Sequence, residues 1–162
     1  MNHCKGENGV MQLCPVHRPS FAPPKGWSTD KESAAAQGVS IFVPPGKTFR
    51  NAPALIYGEA RPNPEKIPLA QWIANSDGRW LQSLKGSKIE ELPAGDLGAG
   101  KREVIVHRYV NPSKNQPVEI IGYFAENDAD GNAYVVRLTL SGLSAKAVEA
   151  ARPLFDETLK AY

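Results

Sequence analysis

Three successive stretches of β-forming residues, joined by two short turn-rich connections, constrain the fold of this chain most tightly. They are Glu103–Val110 (EVIVHRYV), Val118–Ala125 (VEIIGYFA) and Tyr134–Leu140 (YVVRLTL). Asn111–Pro117 joins the first pair and Asn127–Asn132 (NDADGN) the second. Connections this short allow only antiparallel neighbours, because a parallel crossover needs a dozen or more residues. The expectation is therefore an antiparallel meander.

Alternation along these strands says how the sheet is covered. Val104, Val106 and Val110 share one face of the first strand, while Ile105 and Tyr109 occupy the other. In the second, Val118, Ile120 and Phe124 oppose Ile121 and Tyr123. A sheet with one wet face alternates apolar with polar residues, so apolar groups on both faces imply a layer on each side. In the third strand Tyr134, Val136, Leu138 and Leu140 face the core opposite Val135, Arg137 and Thr139. The fold class expected is α+β: an antiparallel β-sheet flanked by helices on both faces, an α/β/α sandwich.

Two helices supply those layers. Ser144 is a suitable N-cap for a C-terminal helix whose Val148, Ala151, Phe155, Leu159 and Tyr162 recur at three- and four-residue steps. Phe155 and Leu159 are expected to pack on the sheet, and Pro153 to kink this helix or to start its second segment. The other helix is expected over Leu69–Leu84, with Pro68 at its first turn and Gly86 at its C-terminal cap. Asp77-Gly78 in its middle costs about 1 kcal/mol relative to alanine and is a site for a break or bend. Trp72 and Trp80 fall near one face of it, either as core or as a stacking platform for a ligand.

Upstream, Arg18–Gly26 (RPSFAPPKG) is an extended, proline-rich lead-in, with Phe21 available to dock on the core. One short helical turn is expected over Glu32–Gln37, and strands over Val39–Val43, stopped by Pro44-Pro45-Gly46, and Ala54–Tyr57. Ile89–Gly100 is rich in turn formers, with little regular structure expected. At 162 residues, 41% hydrophobic and 22% charged, the chain builds one core, divided as a flexible lead-in (1–19) and a single domain (20–162). Its 19 basic and 17 acidic residues are interspersed, which predicts no nucleic-acid footprint. The short basic pairs Lys101-Arg102 and His107-Arg108 read as solvated surface rather than a phosphate or headgroup site. No apolar run approaches the about 18 residues of a membrane span.

The only cysteines, Cys4 and Cys14, lie in the lead-in. A disulfide between them would close a small loop, contribute about 2–3 kcal/mol and imply an oxidising compartment. A zinc site built from His3, Cys4, Cys14 and His17 is the sharper alternative, weakened because adjacent residues seldom aim both side chains at one ion. Unpaired thiols are the third. With no export signal in the first twenty residues, the protein is either periplasmic or secreted with its signal removed, or cytoplasmic.

Catalytic motifs fail on inspection. Gly46-Lys47-Thr48 resembles the end of a phosphate-binding loop, but Ile41 stands where the first glycine belongs. Asp128-x-Asp130-Gly131 resembles a calcium loop, but Arg137 would take the place of the bidentate glutamate, leaving a hairpin turn in which Asp130-Gly131 supply the special backbone angles. Ser141-Gly142-Leu143-Ser144 is no nucleophile elbow. His107, the sole histidine outside the lead-in, is the one candidate for acid–base work, and no cofactor is indicated.

The order of elements resembles the PsbP-like superfamily, which includes photosystem II extrinsic proteins, a nuclear Ran-binding relative and bacterial exported proteins of the PsbP/DcrB type. The matching residues are Phe21-x-x-Pro-x-Gly26-Trp27, Phe42-Val43-Pro44-Pro45-Gly46, Pro53-Ala54-Leu55-Ile56-Tyr57, the meander, and Phe155-x-x-x-Leu159-x-x-Tyr162. The resemblance implies a sheet between helices and a role in binding another protein. The expected function is thus a non-catalytic, monomeric accessory or binding protein of the bacterial cell envelope. A small-molecule or metal-binding module (with Trp72, Trp80 or Tyr109 lining a pocket), a cryptic enzyme centred on His107 and a GTPase-binding regulator are the alternatives. Specificity is expected in the loop Gly46–Ala52, with Lys47, Phe49 and Arg50 as its interacting residues, in Ile89–Gly100, or in the lead-in.

Overall fold

The computed structural model describes residues 2–5, 10–14, 17–113 and 117–162, with the side chains of 2–5 and 12–14 outside the description. Its main body is a seven-stranded antiparallel sheet with three helices. The strands are β3 (Ser28–Thr29), β4 (Ser40–Val43), β5 (Ala54–Pro62), β6 (Lys88–Leu92), β7 (Ile105–Val110), β8 (Val118–Asn127) and β9 (Ala133–Gly142). They lie in the order β3-β4-β5-β9-β8-β7-β6. The meander expected from the sequence is present as β7, β8 and β9, in register from Ile105↔Tyr123 and from Val118↔Gly142.

β9 is the hinge of the topology. It pairs with β8 on one side and along all of β5 on the other, from Ala54↔Gly142 to Pro62↔Tyr134. That central position explains its burial: Tyr134, Val135, Val136, Leu138, Thr139 and Leu140 are all nearly inaccessible. β5 is longer than its apolar signal, because Gly58–Pro62 are drawn into the ladder by β9 rather than by their own propensity.

Helix α3 (Ala145–Ala161) begins at Ser144, whose Oγ accepts from the Ala147 N–H at 3.2 Å. One helix continues through Pro153, so the proline does not begin a second segment. Its Val148, Ala151, Phe155 and Leu159 pack with Ile120, Phe124, Val136, Leu138 and Leu140. Each of the Val, Leu, Ile and Phe side chains among them contributes about 1.5–3 kcal/mol when fully buried. Two glycines admit the helix: a Cβ on Gly122 would stand 2.7 Å from Leu159 Cδ2, and one on Gly142 would stand 2.7 Å from Val148 Cγ2.

Helix α2 (Leu69–Ser83) runs unbroken through Asp77-Gly78. Its Leu69 and Ile73 pack with Tyr109, Ile121, Tyr123 and Val135, so successive residues of β8 divide between the two helices. The helix ends at Leu84, and Gly86 (φ +81°) instead serves the turn into β6. That strand is an addition to the sequence expectation, because KIEEL has too little apolar alternation to announce itself. Its charged residues suit an edge.

Helix α1 (Lys31–Gln37) is fixed at both ends. Asp30 Oδ1 accepts from the Ser33 N–H at 3.0 Å, and Gly38 (φ +70°) closes it through its N–H to the Ala34 carbonyl. Phe21 docks in the core as expected, edge-on to Phe124 and 4.3 Å from the Tyr162 ring centroid. In the lead-in, β1 (Asn2–Lys5) and β2 (Met11–Cys14) form a separate two-stranded antiparallel ribbon. No helix among the described residues is long and apolar enough to cross a membrane.

Candidate functional site

The loop between β4 and β5 is held in shape by its own backbone and by α1. The Lys47 N–H donates to the Pro44 carbonyl at 3.1 Å, the Thr48 N–H to Asn51 Oδ1 at 2.8 Å, and the Ala52 N–H to the Thr48 carbonyl at 3.0 Å. Across the sequence, the Phe49 N–H donates to Asp30 Oδ2 at 2.8 Å, so one carboxylate caps α1 and anchors the loop. These amides, the Phe49 N–H foremost, hold the Asp30 carboxyl below its ordinary range. Gly46 has φ +69° and Thr48 leads by turns into β5, so no helix N-terminus follows to receive a phosphate.

This loop is a ridge between two hollows. On one side lies an open groove of about 440 Å³, lined by Trp27, Pro44, Pro53, Ala147, Ala150 and Leu154, with Lys146 at its margin. Leu143, 75% exposed, stands beside it, tied to the loop's end by its N–H to the Pro53 carbonyl at 3.0 Å. On the other side Thr48, Phe49 and Arg50 face Asp30, Glu32 and Ser33 across a polar hollow. Lys47, Phe49 and Arg50, named from sequence, are all exposed, Phe49 at 39%.

His107 sits elsewhere, on β7 beneath α2. Its Nδ1 lies 2.8 Å from Asp77 Oδ2, and the Tyr109 hydroxyl donates to Asp77 Oδ1 at 2.5 Å. The Tyr123 hydroxyl meets that of Tyr109 at 2.6 Å. Because a carboxylate only accepts, the chain runs Tyr123 to Tyr109 to Asp77, with His107 donating from the other side. Burial drives both tyrosines well above the usual phenol range. Trp80 packs edge-on against Tyr109 at 5.2 Å, and Trp72 stands 6.4 Å from Tyr123, so both belong to the α2 packing layer.

A second polar group occupies the middle of the same sheet face. Tyr57 donates to Glu119 Oε1 at 3.4 Å, and Glu59 pairs with Arg137 across the ladder and with Arg61 at 2.8 Å. Burial raises the Glu119 carboxyl, raises Tyr57 to about 12 and lowers Arg137.

The other residues singled out from sequence are distributed through the scaffold. Asp128 organises the β8–β9 hairpin, accepting from the Asp130 and Asn132 amides at 3.0 and 2.9 Å and from the Tyr134 hydroxyl at 3.2 Å. Of its two central residues, Gly131 (φ +81°) supplies the left-handed backbone. Arg102 lies over the Phe124 ring at 4.2 Å, and Arg108 pairs with Glu149. His17 Nε2 is 3.2 Å from Glu126 Oε1, and Glu126 Oε2 accepts from the Tyr162 hydroxyl at 2.7 Å.

The side chains of His3, Cys4 and Cys14 lie outside the described residues, and no cluster of three or more candidate metal ligands occurs among the described ones. The backbone register sets Cys4 opposite Gln12 and Cys14 opposite Asn2, a diagonal relation.

Asp77 is the functional-type residue that sequence reasoning passed over, reading it only as half of a helix-breaking pair. Its signal was positional: it lies four residues after Ile73 and three before Trp80, on the apolar stripe of α2. Nothing comparable announced Glu59, Glu119 or Arg137 as partners, since they meet only across paired strands. The chain matches no protein-family model, no curated protein and no solved structure.

Proposed function

We propose that this protein is a non-catalytic accessory or binding protein of a bacterial cell envelope, periplasmic or secreted, that works by holding another protein. The observation that carries this reading is the apolar groove of Trp27, Pro44, Pro53, Ala147 and Leu154, open to solvent, with Leu143 exposed beside it. Covering apolar surface is worth about 25 cal/mol per Å², so a concave apolar patch of this kind favours an occupant. The groups that resemble acid–base machinery are meanwhile engaged in fastening α2 to β7 and β8.

The finer architecture belongs to the same proposal. With α2 packed on Ile121 and Tyr123, and α3 on Ile120 and Phe124, the helices cover opposite faces of the sheet in the PsbP-like manner.

A photoreactive amino acid at Leu143, in protein exported by a bacterium, tests the function. A discrete adduct with one protein is expected, absent when Ala150→Trp fills the groove and absent from the same probe at exposed Lys85. Identical adducts from Leu143 and Lys85, or none from either, would defeat the reading.

A further inference from the structure

We propose that the segment held in the Trp27 groove is a stretch of a partner protein with an apolar anchor flanked by carboxylates. This rests on the binding-protein reading and names the partner's chemistry. The groove walls are prolines, a tryptophan ring and the small side chains of one helical face, which accept an inserted aliphatic or aromatic side chain. Its surroundings are basic. Lys146 lines it, Lys25 lies two positions before Trp27, and Lys47 donates its N–H to the carbonyl of Pro44 in the groove wall.

All three cations are exposed, and none makes an ion pair among the described residues. None of the described residues that line the groove is a carboxylate. Asp30 and Glu32 line the polar hollow with Arg50 instead, and Glu149 pairs with Arg108. An anionic flank therefore finds positive charge at the rim and no carboxylate in the groove's lining, while the anchor finds an apolar wall. Rim charges of this sort set partner choice and association rate, and they are screened by salt. An anionic membrane surface would also meet the cations, but a flat bilayer offers no knob to a concave groove.

The experiment titrates the full chain into two fluorescent peptides that share a Leu-Phe anchor, one flanked by aspartate and glutamate, the other by lysine. Fluorescence anisotropy is expected to give at least about tenfold tighter binding of the acidic peptide, the difference collapsing in about 1 M salt, where the screening length is ~3 Å. The double change Lys47→Glu, Lys146→Glu should reverse the preference. Ala150→Trp and Leu143→Asp, both at exposed positions, should abolish binding of either peptide.

Equal binding of the two peptides, still lost in Ala150→Trp, would overturn the acidic chemistry and leave the groove as a docking site. Binding untouched by both groove variants, or no binding at all, would overturn the groove itself. Tighter binding to phosphatidylglycerol vesicles than to the acidic peptide would replace the protein partner with a membrane surface.

Discussion

His107 on β7 and Asp77 on α2 meet at 2.8 Å, thirty positions apart in sequence, and this contact fastens the helix to the sheet through a polar link inside an apolar layer. Asp77 serves Tyr109 as well, so its removal strands two donors in a site with little water. Leaving a buried donor unpaired costs about 1–3 kcal/mol. Asp77→Ala should therefore lower stability by about 2–4 kcal/mol, read as a lower urea midpoint with little change in slope, and α2 should exchange its amide hydrogens first.

All five tyrosines are held above their ordinary value of 10.0, burial being the first cause in each. A raised value means that the folded state keeps protons the unfolded state has released. Stability is thus complete below about pH 10 and falls as pH climbs toward the folded values, Tyr57 at about 12 among them. In a spectrophotometric titration, tyrosinate absorbance should appear late and together with loss of native circular dichroism. A normal phenolic titration in the folded protein would contradict this.

Glu119 is raised above its ordinary 4.5 by burial beside Tyr57. Its stabilising contribution is present below about pH 4.5, where both states are protonated, and is lost as pH rises through the elevated folded value. Glu119→Gln keeps an acceptor for Tyr57 and removes the charge. The variant should be more stable than the parent at pH 7 and indistinguishable from it at about pH 4, as thermal midpoints across that range would show.

Gly122→Ala and Gly78→Ala should move stability in opposite directions. At Gly122 the new methyl meets Leu159 Cδ2 at 2.7 Å and Phe155 Cζ at 3.4 Å, forcing α3 off the sheet at a cost of about 1–3 kcal/mol. At Gly78, inside α2, nothing stands within 4 Å, so alanine should stabilise by up to about 1 kcal/mol. Chemical denaturation of the pair would separate crowding from helix propensity.

Several elements were legible from local pattern. The Ser144 cap, the Val148–Leu159 stripe and the β7–β8–β9 meander each follow from spacing and turn residues alone. β6 was not legible, because a charged five-residue edge strand gains its structure from the ladder of β7 and not from its own composition. The loop of Lys47, Phe49 and Arg50 was foreseen as a surface, whereas its anchor on Asp30 and the groove on its far side were not.

By itself, then, the sequence determined the meander, α2, α3 and the residues of each that avoid water, since periodicity and capping act over a few neighbouring positions. Tertiary structure alone decided that β9 sits between β5 and β8, that Asp77 meets His107 and Tyr109, and that Pro44, Pro53 and α3 enclose an apolar groove. Those relations join residues far apart in the chain. They are fixed by strand order, register and the close approach at Gly122 and Gly142, which no local pattern encodes.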